Sequence, residues 1–238
     1  MHRLSRSVLD PSLRGLLGLI AGLAALVVVL LGVVYAGHSR PGTLDAWIQS
    51  AVDGVGPPWR DVALGMDFLG EPGGAVMLVG AAVTGCLLLR LPRAAVLVVA
   101  GPGLAVVTAT LLKSLVGRTI HGEDNLSYPS GHTAFATALA LVVALLVTGR
   151  LGLGRTAGTA LVLAAALVAG AAMGWAQVAL GAHYPTDVLG GWCTGLAVTP
   201  AIAWLVDRTA DRTADRTADR TADRPADRRA DAGQPERP

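Results

Sequence analysis

The chain has 238 residues, of which 53% are hydrophobic, 15% charged and 4% aromatic. Its mean hydropathy is +0.55. Soluble domains carry roughly 25% charged residues, and here eight of the 17 acids and eight of the 19 bases lie after Val206. So charge-poor a body excludes an ordinary soluble enzyme, a nucleic-acid binder working through a basic surface, and a disordered chain. Composition makes it a membrane protein.

Six apolar stretches are long enough to approach the roughly 20 residues that span a bilayer. They are Gly15–Tyr35, Gly73–Leu89, Ala94–Leu112, Thr133–Val147, Ala157–Leu180 and Val188–Val206. The first follows Arg3, Arg6 and Arg14, as a signal peptide would. Its apolar run is too long for a typical signal core, however, and reads as an uncleaved span. Placing the N-terminus inside puts seven basic residues on inner segments and four on outer loops, the asymmetry expected of cytoplasmic loops. The expected protein is a multi-pass cell-membrane protein with both termini cytoplasmic. Its third and fifth loops share the extracytoplasmic face.

Between the first two spans, Gly37–Pro72 carries Asp45, Asp53, Asp61, Asp67 and Glu71, interleaved with Trp47, Ile48, Trp59 and Phe68. Short interfacial helices with aromatic anchors and a packed connector are both consistent with this pattern. From Asp207 the sequence repeats Asp-Arg-Thr-Ala, decaying after Arg224. A period of four sets like charges at i,i+4, and no apolar face exists to bury. A solvated, mostly disordered tail over 207–238 is expected. Cys86 and Cys193 lie in apolar runs and read as packing residues.

Polar residues at membrane depth are functional candidates, and they gather in the third and fifth loops. The third holds Lys113, Arg118 and Tyr128-Pro-Ser130-Gly131-His132; the fifth holds His183-Tyr-Pro-Thr-Asp187. Ser130 suits a helix N-cap, and the free N–H groups and dipole of such an end bind phosphate. A capped transmembrane helix with an incidental histidine explains that stretch equally well. His183 and Asp187 are spaced i,i+4, so a helical turn would let the carboxylate orient the imidazole. A metal held by His132, His183 and Asp187 ranks lower, because Lys113 and Arg118 put cations where the metal would sit. Those cations suit an anionic substrate.

Together these segments resemble the three signature motifs of the type 2 phosphatidic acid phosphatases, the PAP2 superfamily, over roughly residues 40–206. The resemblance implies an all-α bundle of six transmembrane helices. Residues 1–39 form a basic segment and first span, and residues 40–206 the catalytic domain. It implies a cofactor-free, metal-independent phosphatase acting through a phosphohistidine on a membrane lipid phosphate, with no nucleic-acid partner. Phosphatidic acid, phosphatidylglycerol phosphate and polyprenyl diphosphates fit that description. By that resemblance His183 is the nucleophile, Asp187 orients it, and His132 is the general acid. Lys113, Arg118, Ser130 and the Gly131 amide bind the phosphoryl oxygens. Two positions depart from the pattern: Ile120 and Gln177 stand where the family usually has arginines. A phosphotransferase, a non-catalytic membrane scaffold and a lipid-binding protein are the alternatives. A transporter would need an inverted repeat or paired broken helices, and neither is evident.

Overall fold

A computed structural model describes residues 7–52 and 54–231, with side chains described to Thr217. Arg3, Arg6, Asp53 and the last residues of the tail, 232–238, lie outside them. Eight helices are described: α1 Pro11–Val34, α2 Thr43–Val52, α3 Trp59–Gly70, α4 Pro72–Leu88, α5 Pro92–Val116, α6 Gly131–Leu151, α7 Arg155–Ala179 and α8 Pro185–Asp231. Five of these are long and apolar enough to cross a membrane. The sixth expected span is α4, 17 residues long, which follows α3 through a 67° bend. The six-span all-α bundle expected from the sequence is thus present, and the protein is a multi-pass membrane protein.

Local chemistry sets the helix ends. Asp10 caps α1 by accepting from the Ser12 N–H at 2.8 Å, and Pro11 opens the helix where a missing N–H does no harm. Hydrogen bonding from the Ser12 hydroxyl first, and from its N–H second, holds the Asp10 carboxyl below its ordinary range. α5 and α6 both end on a left-handed glycine, Gly117 and Gly152, each at φ 63°.

α6 is the central post, packed on α5, α7 and α8, while α1 lies along α8 and α4 along α5. Half of the most apolar window of α6 is buried inside the protein, against 22% for α1, whose other faces remain for lipid. Small residues bring α8 onto α6, as membrane helices without a hydrophobic driving force require. A Cβ at Gly190 would strike the Tyr128 ring, and one at Gly191 the carbonyl of Ser130. This close approach joins the two ends that carry the motifs: the Ser130 N–H donates to the Asp187 carbonyl at 2.9 Å.

The connector folds into α2 and α3 and also packs, burying Asp45 and Ala63 while Trp47 and Trp59 stay exposed. The tail departs from expectation. α8 runs without interruption through the repeat to Asp231. Extension from a formed helix avoids the nucleation penalty. Thr209 and Thr213 also bond back to the carbonyls of Leu205 and Thr209, each at 2.9 Å. Arg93 on α5 binds Asp211 at 2.8 Å. Asp207 is buried, accepting from the Val8 and Leu9 N–H groups at 2.8 and 2.9 Å. The disorder expected from residue 207 is therefore replaced by helix as far as the described residues extend.

Candidate active site

The motif residues meet at one end of the bundle, where α5 finishes, α6 and α8 begin, and α2 and α3 cover the top. α6 starts as the sequence suggests: the Ser130 hydroxyl accepts from the Thr133 N–H at 3.3 Å. The first N–H groups of the helix, at Gly131 and His132, have no acceptor within it. A Cβ placed on Gly131 would meet nothing within 4 Å. The end of α6 therefore opens onto free space, the geometry that receives an anion.

His183 is buried just before α8, and its Nδ1 faces Asp187 Oδ2 at 3.8 Å. That nitrogen has no hydrogen bond, so Nε2 is the nitrogen left to face a substrate. Asp187 is held hard in place. Its Oδ2 accepts from the Tyr184 N–H at 3.0 Å, and its Oδ1 accepts from Arg118 Nη1 at 2.6 Å.

Arg118 does not lie open to a ligand. Its side chain is completely buried, with Nη2 on Asp45 Oδ2 at 2.6 Å and Nη1 shared between Asp187 and the Thr186 hydroxyl. Its guanidinium carbon sits 4.0 Å from the Tyr35 ring centroid and 4.5 Å from that of Tyr184. Such a planar, delocalised cation suits stacking and two carboxylates at once. Burial pushes the Tyr184 phenol above its ordinary value; the Arg118 charge opposes this, and Asp187 and Asp45 add to it. Asp45 completes the cluster by accepting from the Thr186 N–H and hydroxyl at 2.9 and 3.0 Å.

Lys113, on the last turn of α5, donates to the Leu126 carbonyl at 2.9 Å and stays part-exposed. His132 faces α3, its Nε2 3.5 Å from Asp67 Oδ1. Lys113, His183 and Glu71 also lie within electrostatic reach of His132. The two departures from the family pattern are plain in space. Ile120 is buried in the third loop. Gln177 donates to Asp67 Oδ1 at 2.7 Å. His121 reaches across to the Gly181 carbonyl at 2.8 Å, tying the third loop to the fifth. Among the described residues, no three His, Cys, Asp or Glu side chains are grouped to hold a metal ion.

The structure thus brings His132, His183, Asp187, Lys113, Ser130 and Gly131 to one end and seals Arg118 beneath them. Sequence reasoning missed the parts played by Asp45, Asp67, Tyr35 and Tyr184. The signal for the first two was present: the connector holds five acids against two arginines, and by the alternation of spans it lies on the same face as the loop with Lys113 and Arg118.

A transmembrane helix bundle here sets the His183–Asp187 pair beside the glycine-led end of α6. The chain belongs to the PAP2 superfamily, whose family model matches residues 15–211. Its fold is similar to that in the crystal structure of the first transmembrane PAP2-type phosphatidylglycerolphosphate phosphatase from Bacillus subtilis. That match has a TM-score of 0.62 and 23% identity, covering 81% of this chain and 96% of the other. Curated proteins offer no match.

Proposed function

We propose that the protein is a membrane lipid phosphatase that works through a phosphohistidine on His183, at the extracytoplasmic face. Membership of the family supports phosphatase chemistry in general. The observation that carries the finer reading is the opposition of His183, backed by Asp187, to the open N-terminus of α6 bearing His132. In this reading His183 Nε2 attacks phosphorus while the bond to the lipid oxygen breaks. His132 gives that oxygen a proton and later takes one from the water that hydrolyses the phosphohistidine. The Gly131 and His132 amides, with Lys113, stabilise the equatorial oxygens. Arg118 acts at one remove. Its bond to Asp187 aims the carboxylate at His183, and the covering tyrosines keep water from the pair.

The substrate is an amphiphilic phosphomonoester or diphosphate whose headgroup lies at the bundle's end and whose tail lies among the helices. An apolar cavity of about 480 Å³, lined by Met66, Leu69, Phe135, Leu139, Ala169 and Met173 among others, has the size and lining for such a tail. In EDTA, purified protein is expected to release phosphate from a lipid-phosphate panel, and His183→Ala to abolish release. Equal, negligible release by both across the panel sinks this reading. That result favours the second one, a non-catalytic lipid-binding member, for which Ile120 and Gln177 speak by removing two cations. The orientation rests on the inner excess of arginines. A cysteine introduced beside Pro185 should react with an impermeant thiol reagent in intact cells, whereas labelling only after permeabilisation would place the site inside.

A further inference from the structure

We propose that Asp67 is the positioning residue of His132, fixing its Nε2 so that Nδ1 is the nitrogen that exchanges the proton with substrate. The proposal rests on the phosphatase reading above and adds to it a carboxylate from outside the three motifs. Asp67 comes from α3, just ahead of the 67° bend into α4. That bend presses the backbone of Gly70 against the His132 ring, where a Cβ would clash with Cδ2 and Cγ. The ring is therefore clamped on one side, with Nε2 buried, without a hydrogen bond in this arrangement, and 3.5 Å from Asp67 Oδ1, the carboxylate it would donate to in the proposal. Gln177 holds the carboxylate: its amide donates to the same Oδ1 at 2.7 Å and is itself buried.

The residue at 177 decides how much of the charge on Asp67 reaches His132. An arginine there, as in the usual family pattern, would neutralise the carboxylate. Glutamine fixes its position with a neutral hydrogen bond and leaves the negative charge to the imidazole. The other charged groups facing His132 are Glu71 at the same bend, Lys113 from α5 and His183 from the loop before α8. The proton balance then closes. A doubly protonated ring gives the Nδ1 proton to the leaving oxygen and keeps Nε2–H toward Asp67. The neutral ring presents its Nδ1 lone pair to the incoming water and recovers the proton as the phosphohistidine bond breaks.

Two variants separate charge from position. Asp67→Asn keeps the acceptor oxygen and removes the charge, so the alkaline limb of kcat should move to lower pH by about one unit, a carboxylate's usual influence at this range. KM should change less than twofold, and Asp67→Glu should return most of the limb. Asp67→Ala removes the acceptor, so nitrogen NMR of histidine-labelled protein in detergent should show the neutral His132 ring changing from one tautomer, Nε2–H, to a mixture. A pH profile for Asp67→Asn superimposable on wild type, or an unchanged tautomer in Asp67→Ala, overturns the proposal. The NMR measurement needs no substrate, so a wild-type protein without phosphatase activity would sink the functional reading while the place of Asp67 is still decided.

Discussion

Arg118 holds Asp187 through a 2.6 Å bond from Nη1 to Oδ1, and the other oxygen of that carboxylate faces His183. One buried cation thereby serves two carboxylates, since Asp45 takes Nη2. The cluster is a net anion sealed in protein, and its stability depends on all three members being present.

Arg118→Ala should therefore destabilise the protein by about 3–5 kcal/mol, the usual result of leaving a buried charge without its partner. Arg118→Lys should recover little, because an ammonium cannot bridge both carboxylates in one plane. Thermal unfolding in detergent measures both. The double variant Arg118→Ala with Asp45→Ala should lose less than the sum of the single variants, as coupled groups do.

Lys113 is the part-exposed cation at the site, so the loss of two family arginines leaves it with an unusual share of the phosphate charge. Lys113→Met should lower kcat/KM roughly ten- to a hundredfold, the equivalent of one charge-assisted hydrogen bond. A change under threefold in steady-state kinetics would remove Lys113 from the phosphate site.

Gly131 and Gly191 should answer alanine in opposite ways. The side chain of Gly131→Ala would project into empty space, so thermal stability should hold while kcat/KM falls as the methyl group meets the phosphoryl oxygens. Gly191→Ala drives its methyl into the Ser130 carbonyl and should lower the melting temperature.

Asp207 accepts two backbone N–H groups from the chain's start. Asp207→Ala should cost roughly 1–3 kcal/mol by leaving buried donors unpaired. Truncation after Thr217 should leave both melting temperature and phosphate release near wild-type values.

The bundle was legible because its apolar spans are long, and the end that gathers the motifs because Lys113, His132, His183 and Asp187 are polar where polarity is expensive. Ser130 announced its helix in the same way. Arg118 was harder. Sequence showed a cation near an anion site but not the two acids that claim it, one of them 73 residues away. Asp67 was hidden for a like reason, since its partners Gln177 and His132 meet it only through the bend between α3 and α4. The helical tail was misread for want of context. An isolated Asp-Arg-Thr-Ala repeat has little to hold it, but here it inherits a helix already running.

That inheritance separates two fates along one helix. Toward its start, α8 is fixed by Asp187 and by close packing on α6. Past Asp207 and the Arg93–Asp211 pair, each further four-residue unit adds about 6 Å of length and disturbs nothing upstream. A change in the number of repeats would therefore leave the helix's first turn in register with the end that gathers the motifs.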